Sequence, residues 1–140
     1  MKPVPFNPST DLATTPFTRS HAELAREMKR LGLGWQPHVG CFVWDPDGRI
    51  VVDSPFPERI YFILSLPRFI DMFGSREAVA EALVWLPTWH QARLLCRRYD
   101  VADERVAAIW AGNPAIDPGR ELTELYGLLI ETLKNRNPGD

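Results

Sequence analysis

Within PTWHQARLLC, residues 87 to 96, an indole, an imidazole and an amide stand side by side at Trp89, His90 and Gln91, directly after a proline. An aromatic wall beside a titratable ring is common equipment of ligand pockets and of acid–base catalysis. Helical spacing separates the three. At 100 degrees per residue, Ala92, Leu95, Cys96 and Tyr99 share one side with Trp89 at its margin, while His90, Arg93, Arg97 and Arg98 gather opposite, with Leu94 and Gln91 among them. Thr88 and Gln91 have the residue types and spacing of a capping box. What remains is a basic stripe with free amides at the helix start, Arg93 close by and Arg97 displaced by roughly 10 Å along the axis. That span suits a phosphorylated or acidic partner. The plainer reading is a solvated face, with Arg97 and Arg98 favoured in the last turn by the helix dipole. The candidate anion patch is therefore His90, Arg93, Arg97 and Arg98, and the candidate pocket lining is Trp35, His38 and Trp89.

Other chemistries find less support. A small hydrolase or transferase would use His90 or His38 as general base, with Asp45, Asp53 or Cys41 assisting, and needs these groups in one cleft. No GxSxG is present, and Cys96 falls late in a helix on its apolar side. LGLGWQ has two glycines and leads toward a strand, unlike a phosphate-binding loop. His38 and Cys41 can bind a metal together with His90 or Cys96, but no spacing requires it, and no metal or cofactor is implied. Asp45-x-Asp47-Gly48 lacks the later carboxylates of a calcium loop and reads as a turn.

After the hairpin, REAVAE resembles the REUxEE core of Nudix hydrolases at Arg76, Glu77, Ala78 and Glu81. The pattern fails at Ala80, Leu83, Phe62 and Arg68, where that family has Glu, Gly, Gly and Glu. Most of the magnesium ligands are thereby lost, and the family is not adopted.

The elements that must position these residues can be read from the same chain. Pro3, Pro5, Pro8 and Pro16 make residues 1–18 an arm, with Phe6 and Phe17 available to pin it to the body or to a second subunit. Disorder and docking are both open there, and docking on a second copy would give a homodimer. Ser20 and Glu23 suggest a capping box opening a first helix, on which Leu24, Met28 and Leu31 repeat, and Gly32 and Gly34 stop it. VGCFVW, DPDG and RIVVD predict a hairpin with strands at 39–44 and 49–53. RIYFILS at 59–65 predicts a third strand, central or covering and buried on both sides, before a short helix at 67–73. Helices are expected at 76–86, 89–99, 102–111 and 118–134, the last with an apolar stripe of Leu122, Leu125, Tyr126, Leu129 and Leu133. The segments 76–86 and 89–99, joined by Leu-Pro-Thr, also have the outline of a helix-turn-helix.

The expected fold is α+β: a small three-stranded antiparallel sheet, hairpin 39–53 plus strand 59–65, packed on one face by an N-terminal helix and four or five C-terminal helices. One domain at 19–135 follows the arm, and 136–140 is a polar tail. The 140 residues suffice for one core, and a net charge of −2 gives the whole molecule no pull toward nucleic acid or anionic membrane. Cys41 and Cys96, without a CxxC pair, read as buried thiols, and no apolar run is long enough for a leader or a span. A cytoplasmic, non-catalytic module for a protein partner or small anionic ligand is the reading these features favour.

Overall fold

A computed structural model describes residues 4–136. The tail expected at 136–140 lies outside the described residues from 137 onward, as do the first three residues of the arm. The element order is α1 (Arg19–Arg30), β1 (Phe42–Trp44), β2 (Ile60–Phe62), α2 (Leu66–Phe73), α3 (Arg76–Ala82), β3 (Val84–Leu86), α4 (Trp89–Arg98), α5 (Asp103–Ala111) and α6 (Pro118–Arg136). The architecture is α+β, with one antiparallel sheet of three strands in the order β2-β1-β3. The expected class holds, and β1 and β2 lie within the strands expected at 39–44 and 59–65, but the third strand is β3 in place of 49–53.

The hairpin partner at 49–53 is not a strand. Asp45, at the end of β1, turns its carboxylate onto the chain that follows, accepting from the amides of Arg49 (3.0 Å) and Ile50 (2.8 Å). Amides held by a side chain are withdrawn from a ladder, so the segment curls and leaves Val51 and Val52 exposed. The strand paired with β1 is instead β2, in the register Phe42 with Phe62, Val43 with Tyr61 and Trp44 with Ile60. β2 is an edge strand, and its outer residues Phe62 and Leu64 reach solvent, contrary to burial on both sides.

The third strand comes from the segment expected to complete a helix at 76–86. α3 ends at Ala82, and Leu83 takes an extended conformation. Val84, Trp85 and Leu86 suit a pleated, half-buried surface better than a helix, and the free side of β1 accepts them, Phe42 facing Leu86 and Trp44 facing Val84. Lys29 of α1 donates to the carbonyls of Glu81 (2.5 Å) and Leu83 (3.0 Å), satisfying acceptors that the end of α3 leaves free. With β3 between α3 and α4, the helix-turn-helix outline is not formed.

The sheet divides the core in two. Phe42, Trp44, Ile60, Val84 and Leu86 face the larger half with α1, α4 and α6, where Leu122, Leu125, Tyr126, Leu129 and Leu133 are all buried. Cys41, Val43, Tyr61 and Ile63 face the smaller half with Phe69 of α2 and Val79 of α3. Helices thus cover both faces, because α2 and α3 fold back under the sheet before the chain returns as β3.

α1 is capped by Thr18, not by Ser20. The Thr18 amide donates to Nδ1 of His21 (3.1 Å), the role assigned to the Glu23 carboxylate by the sequence pattern. Glu23 remains exposed and pairs with Arg19 (3.1 Å) and Arg26 (3.7 Å). The arm is pinned at its end by Phe17, which is buried against Phe42 with ring centres 5.4 Å apart, whereas Phe6 stays exposed.

Candidate functional site

Residues named as pocket lining and as anion patch meet at one place. α1 ends in a segment rich in glycine, Leu31 to Gly40, which crosses the surface before β1 and carries Trp35, Gln36 and His38. The C-terminal turn of α4 lies beside it with Arg98 and Tyr99. Together these bound an open groove of about 670 Å³. Its volume is within the range of small-molecule clefts.

The polar groups of the groove are oriented by their neighbours. His38 Nδ1 donates to the Val39 carbonyl at 2.8 Å, because a carbonyl can only accept. The Nε2 of the neutral ring is then an acceptor. Arg97 and Arg98 are exposed, and no carboxylate pairs with them among the described residues. Arg136 from the last turn of α6 lies over the Tyr99 ring, 5.1 Å from guanidinium carbon to ring centre. A cation thus flanks the groove from a second element.

Trp35 is half-buried and stacks on Trp85 of β3, with centroids 6.1 Å apart and planes within 11°. Nε1 of both indoles is enclosed and meets no acceptor among the described residues. Such a donor is ordinarily satisfied, and each unmade bond costs about 1–3 kcal/mol.

The other candidates go elsewhere. His90 and Leu94 are exposed on the outward face of α4, as the wheel places them. Arg93 is half-buried, and its Nη1 is enclosed with no partner among the described residues. Thr88 and Gln91 form the expected capping box, with the Thr88 amide donating to Gln91 Oε1 (2.9 Å) and the Gln91 amide to Thr88 Oγ1 (3.1 Å). Trp89 sits at the core margin, 40% exposed, in a separate cleft of about 830 Å³ between the end of the arm, His21 and the start of α6. Trp35, His38 and Arg98 are therefore brought together, while Trp89 and His90 stand apart from them.

No family model, curated protein or solved structure matches this chain.

Of the groups named for base catalysis, His38 lines the groove and His90 is exposed on the outward face of α4. Cys41 is fully buried in the smaller core, and Cys96 is buried in the larger one. Burial pushes the Cys96 thiol up, against the smaller opposing effect of Arg93. Asp45 is engaged by two backbone amides and by Arg59 Nη2 at 2.5 Å. Among the described residues no group of three His, Cys, Asp or Glu side chains is arranged to hold a metal ion, and no helix is long and apolar enough to cross a membrane.

Sequence reasoning missed Gln36 and Tyr99 as groove residues, Arg136 as the cation over Tyr99, and His21 as a buried network histidine. His21 Nε2 donates to the Gly119 carbonyl at 2.8 Å, tying the start of α1 to the start of α6. Its fit to a capping position, three residues after Thr18, was a usable signal. Nothing local announces that Arg136 reaches Tyr99, since that contact depends on the packing of α6 against α4.

Proposed function

We propose that the chain is a non-catalytic module that binds a small anionic ligand in the groove of Trp35, Gln36, His38, Arg98 and Tyr99. The observation that carries this reading is the convergence on one concavity of Arg98, free of carboxylate partners among the described residues, and the exposed His38, with Arg136 lying over Tyr99, one of the lining rings. Cations that no internal carboxylate neutralises favour an external anion, and the planar guanidinium matches carboxylate or phosphate oxygens in pairs. A concave site favours a small ligand over the flat surface of a protein partner. Arg97, one residue away on the exposed face, strengthens the field without entering the groove.

Calorimetric titration of the full chain with inorganic phosphate, pyrophosphate and citrate at low salt tests the proposal. At least one should bind, and Arg98→Ala should weaken it about tenfold while leaving the melting temperature within a few degrees of wild type. An unchanged affinity in Arg98→Ala, or no heat with any of the three anions, rejects this site.

A further inference from the structure

We infer that Trp35 is a displaceable cover, and that the ligand of the groove is an anion carrying a planar ring, which takes the place of Trp35 on Trp85. This rests on the anion reading of the groove. Three voids meet at Trp35: the groove itself, an opening of about 250 Å³ shared with Arg76 and Ala80, and a small cavity of about 80 Å³ shared with Lys29 and Trp85. A core tryptophan is packed on all sides, but this one is bordered by unfilled space, so little has to be repacked when it moves.

The stack itself indicates what can replace it. Trp35 and Trp85 lie nearly parallel, within 11°, an arrangement that any flat ring can reproduce. Both indole N–H groups are enclosed without an acceptor. Moving Trp35 outward gives its own N–H access to water and opens Trp85 to a ligand whose oxygens accept. The anionic group of that ligand meets Arg98 and His38, the residues bordering Trp35 on the groove side.

The segment that bears Trp35 can make this movement. Gly32 and Gly40, on either side of it, have φ of +96° and +100°, and no atom lies within 4 Å of where a Cβ would stand. Between them the backbone is tied to the rest of the protein by the Leu33 amide to Met28 O (3.0 Å) and by Arg76 Nε to Pro37 O (2.7 Å). The amides of these glycines are bonded to Lys29 O (3.0 Å) and Ile63 O (2.9 Å), which fixes the two ends of the segment and leaves rotation at the glycines as the means of moving Trp35.

The test compares phenyl phosphate with inorganic phosphate, by calorimetry and by tryptophan emission, on the full chain. Phenyl phosphate should bind about tenfold tighter, and its binding should shift the emission to the red as Trp35 enters water. Trp35→Ala, which has no cover to displace, should bind phenyl phosphate more tightly than wild type. Equal affinity for the two anions, or binding with unchanged emission, overturns the cover and leaves the anion site standing. Binding of neither anion overturns both. The comparison of anions and the emission shift are read on the wild type, so a poorly folded Trp35→Ala does not stop the decision.

Discussion

Asp45 illustrates how one side chain sets the course of a long loop. Its carboxylate is fully buried at the end of β1, and it gathers the amides of Arg49 and Ile50 and the guanidinium of Arg59. Arg59 is held in the left-handed region together with Glu58, at φ of 59° and 64°, and also donates to the Ile50 carbonyl at 2.6 Å. Burial alone would raise the pKa of Asp45, but the bonds from Arg59, Ile50 and Arg49 outweigh it and hold the carboxyl below the usual carboxylate range. A folded value below the unfolded value of about 3.9 contributes stability that is complete above that range. It is lost as pH falls through the lowered value. Urea midpoints measured from neutral to acid pH should therefore fall more steeply for wild type than for Asp45→Asn in this window. Asp45→Ala should lose about 3 kcal/mol at neutral pH, and a loss well under 1 kcal/mol would mean that the loop stands without it.

At the scale of elements, the helices and the positions of β1 and β2 were readable, and the third strand and the end of α3 were not. Each helix after Ser75 carries local signals, such as Ser75 accepting from the Ala78 amide (3.0 Å) and the Thr88–Gln91 box, and local signals survive in a single sequence. The strands are three residues each, too short for alternation to declare their pairing, and the choice of partner for β1 was settled by groups far away in the chain. RIVVD has the alternation of a strand, but Asp45 claims its first amides. VWL continues a helical run in sequence yet finds the open edge of β1. The site follows the same rule: Trp35, His38 and Arg98 could be named from residue type, but their meeting depends on where α4 ends against the Leu31–Gly40 segment.

The junction of α1 and α6 gives this scale its own test. His21 joins the two helix starts through Thr18 N–H and Gly119 O, and His21→Ala removes both bonds and a buried ring. Thermal unfolding should show a loss of about 2 kcal/mol, with faster proteolysis around residues 13–18. An unchanged melting temperature would show that the packing of α1 on α6 suffices without the imidazole.

For the whole molecule, the boundary of the arm lies at Phe17. Val4, Phe6 and Leu12 are exposed, and Phe17 is 6% exposed. Removing residues 1–16 should leave stability nearly unchanged, whereas Phe17→Ala in the full chain should lose about 3 kcal/mol, both read from denaturant midpoints. Light scattering of the full chain against the shortened one tests the homodimer proposed through the arm. Equal masses for the two would remove the arm as a means of assembly.

The large half of the core is closed by elements from opposite ends of the chain. Ala22, Ala25 and Met28 of α1 pack with Leu122, Leu125 and Leu129 of α6. In synthesis, the apolar side of the first helix meets β3 before α6 is made, and the part that α6 covers waits for that last helix. A product cut short before α6 should be cleared by proteases instead of persisting as a partly working fragment.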